Sequence, residues 1–194
     1  MNITGQLGKI KESLQNENLC ILPTDTILGL FSTTTDFAVR KIFSTKKRSL
    51  EKPLAIFVPN IESIAKYGIE NEASIEFARN NLPGAYTILL EATDFAKKSL
   101  SPLLISSDGK IGIRIPNNAD ILEITKSVII CGTSVNLSGE TFATDENIPQ
   151  EIANCVEYCL QSQNTPAQMA NTPSTIIDFS NCSTANGAPV IIRQ

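Results

Sequence analysis

Apolar residues recur along this chain with two different periods. Leu7, Ile10 and Leu14 share one helical face and predict an amphipathic helix near 5–17, ahead of a short apolar strand, Leu19–Leu22. Asp36 stands where a cap belongs, before Phe37, Val39, Ile42 and Phe43 at broadly helical spacing. A strand at Leu54–Val58 follows, then helical pieces near 60–67 and 72–81, and a break at Leu82-Pro83-Gly84. Strands are expected at Thr87–Ala92 and Ile111–Ile115, a helix around 118–126 and a buried strand at Ser127–Cys131. Residues 149–160 fit helix or strand equally, and Thr175–Phe179 and Val190–Arg193 are short β-branched runs. Strands alternating imperfectly with helices predict an α/β fold with a mixed sheet covered on both sides.

Composition narrows the class. The 194 residues, 42% hydrophobic and 19% charged, suit one ordinary globular domain spanning 1–194 and exclude disordered or fibrous chains. A net charge of −4 argues against a general nucleic-acid coat. The sequence contains no His, which excludes Ser-His-Asp and Cys-His catalysis and His-bearing zinc sites. Proton transfer would fall to Lys, carboxylates, Cys, Tyr, substrate or water. Five cysteines without a C-x-x-C pair fit neither a disulfide framework nor a zinc ribbon, and Cys20 and Cys131 read as small core residues. With no signal-peptide core and no apolar run of about 20 residues, the expectation is a cytoplasmic protein with no membrane segment.

Polar groups cluster where strands end. Arg40, Lys41, Lys46, Lys47, Arg48 and Lys52 form a basic run in an acidic chain. Its plain reading is a solvated face; its sharper reading is an anion clamp, with Lys46 and Arg48 alternating into one cleft. In Thr133-Ser134-Val135-Asn136-Leu137-Ser138-Gly139, alternation points Ser134 and Asn136 the same way, although a turn held by local hydrogen bonds explains the segment equally. Pro23-Thr24-Asp25-Thr26 and Pro173-Ser174-Thr175 each set hydroxyls after a rigidifying proline. Arg114 lies inside the apolar strand Gly112–Pro116 and so requires an anion, either an internal carboxylate or one on a ligand. Arg193 sits similarly after three apolar residues. Such an inventory, without a conventional base, suits phosphoryl or nucleotidyl transfer by positioning and charge stabilisation.

The order of these segments resembles the YrdC-like family. The resemblance runs from Pro23-Thr24-Asp25-Thr26 with Gly29-Leu30, through Lys46-Lys47-Arg48, Lys52-Pro53-Leu54 and Leu82-Pro83-Gly84 with Thr87, to Ile113-Arg114-Ile115-Pro116. It continues with Thr133–Gly139, Pro173-Ser174-Thr175 and Ile192-Arg193, covering roughly residues 20–193. It implies a twisted, open mixed sheet with flanking helices around a basic cavity. The implied activity is a threonylcarbamoyl-AMP synthase, combining L-threonine, bicarbonate and ATP with release of pyrophosphate. The product would pass to a tRNA threonylcarbamoyltransferase complex acting on adenosine 37, and direct tRNA or RNA contact is a further implied partner. On this resemblance Lys46 and Arg48 are catalytic, and Thr26, Arg114, Ser134 and Ser174 bind threonine. Arg48, Lys52, Lys110, Asn136, Thr144 and Arg193 bind the nucleotide, and Mg²⁺ arrives on the ATP phosphates rather than at a protein metal site. Ala85 (usually Pro), Val135 (usually Ala), Phe57 (His in some members) and Leu28 (commonly Tyr) depart from the family pattern, and the short chain resembles the single-domain type. The competing readings are a carbamoyltransferase-related domain and a non-catalytic RNA-binding module.

Overall fold

The computed structural model describes residues 3–160, 170, 172–182 and 187–194. Helix α1 (Ile3–Gln15) leads into β1 (Leu19–Leu22) and β2 (Gly29–Thr33), followed by α2 (Asp36–Thr45) and β3 (Ala55–Phe57). A 3₁₀ turn and α3 (Ile64–Tyr67) precede β4 (Gly68–Ile69), α4 (Glu72–Asn81) and β5 (Tyr86–Ala92). Then come α5 (Asp94–Ser99), β6 (Lys110–Arg114), α6 (Ala119–Thr125), β7 (Ile130–Ser134), α7 (Gln150–Ala153), β8 (Val156–Cys159), β9 (Thr175–Asp178) and β10 (Val190–Arg193). The strands form one mixed sheet in the order β10-β9-β5-β6-β3-β7-β2-β1-β8, with β4 paired to β5. Pairs β1–β8, β3–β6 and β5–β9 are parallel and the others antiparallel. The expected α/β mixed sheet with flanking helices is what forms.

The strand at Leu19–Leu22, the helix at 72–81 and the strand at Val190–Arg193 lie where the pattern placed them. Residues 149–160 divide into α7 and β8. The buried strand expected at Ser127–Cys131 instead spans Ile130–Ser134, because its register is set by pairing Thr33 with Ile130 and Gly29 with Ser134. The α2 cap is Thr35, whose side chain accepts from the Ala38 amide; Asp36 instead receives hydrogen bonds from Arg40 and Ser101, and Phe37 points outward.

Strand alternation gives the sheet two unlike faces. One face carries Leu19, Ile21, Leu28, Leu30, Ile56, Ile88, Leu90, Ile111, Ile113 and Cys131, packed against α2, α3, α4 and α5 in the larger core. The other carries Cys20, Leu22, Phe31, Phe57 and Ile130, covered at one end by Ile10 and Leu14 of α1 and Ile121 and Ile124 of α6. Away from those helices this second face presents Gly29, Ala55, Thr87, Gly112, Gly132 and Ser134, and it is the floor of a cavity.

The glycines are needed there. Gly29 and Gly132 leave room for the Phe31 ring, and a Cβ on either would overlap it. Phe31 is fully buried and meets Phe57 edge-on at 4.9 Å, so it has nowhere to retreat except into the cavity. Gly132→Ala should therefore cost about 1–3 kcal/mol of stability, read from urea unfolding midpoints. An unchanged midpoint would show that Phe31 does not depend on that space.

Candidate functional site

The cavity, about 710 Å³, is walled by side chains from β2, β3, β5, β6, β7, β9 and β10 and by loops at their ends. Arg48, Lys52, Lys110, Arg114, Ser134, Ser174 and Arg193 all line it, as do Thr24, Thr87, Asp108 and Asp178. Segments more than a hundred residues apart in sequence thus converge on one concave surface. That size and mixed lining suit a small-molecule ligand with several polar anchor points.

Its cations are held in different ways. Lys110 is neutralised, bonded to Asp178 at 2.8 Å and Asp108 at 3.0 Å, and these partners raise its pKa. Burial works against ionisation of Asp178, but hydrogen bonds from Lys110 and Ser180 outweigh it and pull its pKa down. Arg48 and Arg193 have no carboxylate partner among the described residues. Arg48 donates to the carbonyls of Lys52 (3.0 Å) and Pro53, and Arg193 donates to the carbonyl of Ser174 (2.8 and 3.2 Å). Burial lowers the pKa of both, and the charge of Arg193 lowers Arg48 further. Two guanidinium groups on the cavity lining, Arg48 partly buried and Arg193 exposed, concentrate positive charge there.

Arg114 resolves the alternative its sequence position left open. Its Nη2 meets Asp25 Oδ1 at 2.5 Å and Thr26 Oγ1 at 2.7 Å, so the internal carboxylate is its partner. Asp25 also accepts from the Asn117 amide, which ties loop 23–28 to the end of β6. The Arg114 Nε is buried without a partner, and the guanidinium lies 5.5 Å from the Phe57 ring centre. Ser174 shares a 2.8 Å hydrogen bond with Thr87 while its own Oγ and carbonyl face Arg193.

Four expected residues do not line the cavity. Thr26 is buried beneath it, between Arg114 and Thr24. Thr144 is exposed and bonded to Asn147. Lys46 and Arg48 diverge instead of sharing a cleft: Lys46 caps α2 and Lys47 takes a left-handed conformation (φ 50°), so extended-chain alternation does not apply. Lys46, 1% exposed, turns inward and donates to the Ser134 and Asn136 carbonyls (2.5 Å each) and to Asn136 Oδ1 (2.8 Å). Asn136 in turn accepts from Ser134 Oγ and donates to the Glu140 carbonyl, so its amide is spent on the loop. Lys46 and Asn136 set the shape of the wall from behind. Asp25 and Thr87 carry interactions that motif reading passed over. The signal for Asp25 was the need of a buried Arg for an acid, met in the adjacent strand-end motif.

Fold and site together define an α/β domain with a cation-rich cavity on the open face of its sheet. The family model described as telomere recombination, Sua5/YciO/YrdC, matches residues 12–194, and the chain belongs to that family. A Methanocaldococcus jannaschii protein provisionally named threonylcarbamoyl-AMP synthase is 34% identical over 170 residues, 87% of this chain and 77% of that protein. P. abyssi Sua5, in a crystal structure complexed with L-threonine, superposes with a TM-score of 0.83 at 20% identity over 97% of this chain and 54% of the other, so this chain spans about half its length. E. coli YciO superposes with a TM-score of 0.82 at 20% identity over 100% of this chain and 91% of that one. These superpositions agree in fold. Among the described residues no helix is long and apolar enough to cross a membrane.

Two outcomes test this geometry. Arg114→Ala strands Asp25 as a buried charge and should cost about 3–5 kcal/mol, with Asp25→Asn/Arg114→Met costing less than the sum of its single changes; additive costs in urea unfolding would deny the pairing. Burial, followed by the charge of Arg48, lowers the pKa of Lys46 to about 7. The unfolded chain, with its ordinary lysine pKa, then binds more protons above pH 7, so this residue's contribution to stability rises with pH. From pH 6.5 to 8 the wild type should gain stability relative to Lys46→Met; a constant difference would contradict the burial.

Proposed function

We propose that this protein is an L-threonylcarbamoyladenylate synthase, a nucleotidyltransferase that makes threonylcarbamoyl-AMP and pyrophosphate from L-threonine, bicarbonate and ATP. The observation that carries this reading is the uncompensated Arg48–Arg193 pair facing a hydroxyl-bearing wall, in a chain whose 34%-identical relative carries the synthase name. Threonine's neutral amine attacks bicarbonate to give N-carboxythreonine with loss of water, and the new carboxylate attacks the α-phosphorus of ATP and displaces pyrophosphate. The attacking group is already anionic, so the step needs little base chemistry, which suits a chain without His. It does need like charges brought together. Arg48 and Arg193 would take the phosphate oxygens, and the free edge of Arg114 with Ser134 and Ser174 would orient the amino acid.

Mg²⁺ belongs to this proposal as a companion of the triphosphate, whose charge it would lower. The cavity's carboxylates, Asp108 and Asp178, are already engaged by Lys110. Among the described residues no group of three or more His, Cys, Asp or Glu side chains could hold a metal. The donor set therefore suits a metal delivered on ATP better than one bound by the protein. The product would serve a tRNA-modifying transferase, and a cytoplasmic location would follow from that role.

The test is pyrophosphate release by the purified protein. Release should require both L-threonine and bicarbonate, and Arg48→Ala should lower kcat/KM about 10²-fold or more by removing a donor to developing charge. Release independent of threonine, or a fully active Arg48→Ala, would overturn the proposal.

A further inference from the structure

Three phenylalanines are exposed among the described residues, and two of them have a local explanation. Phe37 and Phe95 each lie under a lysine ammonium, Lys41 and Lys66, at 4.6 Å. Phe142 does not: it is 39% exposed, packs into neither core cluster, and has no aromatic or cationic partner among the described residues. It nevertheless lines the cavity.

The backbone carrying it is held on both sides. Asn136 donates to the Glu140 carbonyl at 2.8 Å, and the Ala143 amide donates to the Val135 carbonyl at 2.8 Å. Glu140 closes a turn onto Leu137, and the Ser138 amide reaches the Lys46 carbonyl. Gly139 supplies the positive φ, +91°, that this turn requires. The buried Nζ of Lys46 fixes Asn136 from below. A ring displayed to water from a turn so firmly fixed gains apolar burial once a flat ligand surface covers it.

Resting on the nucleotide reading above, we propose that Phe142 is the stacking platform for the nucleobase and a determinant of nucleotide affinity. The cavity's other aromatic residues, Phe31 and Phe57, lie buried in its floor. Arg48 and Arg193 on the wall would hold the phosphates. Phe142 offers the exposed π-face available to the base, and stacking tolerates any base with such a face.

The chain has no Trp, so Phe142→Trp creates a single fluorescent reporter at this point. The probes are ATP and sodium tripolyphosphate, which carries the charge without a base. Saturating fluorescence quenching by ATP, with none at tripolyphosphate concentrations that displace ATP, supports the platform. Calorimetry on Phe142→Ser should show ATP binding weakened roughly 10-fold, while Phe142→Tyr binds as the wild type does. ATP bound by the wild type with no quenching in the Trp variant, or equal quenching by both probes, overturns the platform alone. Failure of the wild type to bind ATP overturns the nucleotide reading and the platform with it. Circular dichroism melting of each variant separates lost binding from lost folding.

Discussion

The two faces of the sheet cannot be packed alike. On one, large aliphatic side chains meet four helices and close a core. On the other, α1 and α6 cover only one end, and small residues such as Gly29, Ala55, Thr87, Gly112, Gly132 and Ser134 line much of the rest. Strand alternation forces both outcomes from the same residues: in β6, Ile111 and Ile113 build the core while Lys110, Gly112 and Arg114 face the cavity. The sheet can be left uncovered there because its opposite face supplies the burial that holds it together.

Electrostatics divides along the same line. Charges that maintain architecture are paired: Arg114 with Asp25, Lys110 with Asp178. Lys46 is buried against carbonyl and amide oxygens and shapes the wall from behind. Arg48 and Arg193 stay on the cavity side, held by backbone carbonyls and the Ser174 hydroxyl rather than by a carboxylate. The charge of Arg193 works against that of Arg48, adding to the effect of burial. The local cation excess exists although the whole chain carries a net charge of −4.

Much of the fold was legible because periodicity is local, as at Leu19–Leu22 and Glu72–Asn81. Strand β2 was not: Gly29 and the polar Ser32 and Thr33 break its apolar run, and it is a strand because β1 and β7 flank it. Helix α5 is short and carries a single buried residue, so its apolar signal is slight. At the site, Arg48, Arg114, Ser134, Ser174 and Arg193 were readable as polar groups at strand ends, and they do converge. Lys46 was misplaced because one left-handed residue, Lys47, reverses the direction that alternation assigns. The pairing of Arg114 with Asp25, 89 residues away in sequence, depends on how loop 23–28 lies against β6 and is invisible to local pattern.

On the proposed function, this open face joins an amino acid, a carboxyl unit and an adenylate. The most direct measurement is mass spectrometry of the products formed from L-threonine, ATP and ¹³C-bicarbonate. An adenylate carrying both threonine and the ¹³C label is the expected product. Unlabelled adenylate, or AMP and ADP without any threonine adduct, would contradict that function.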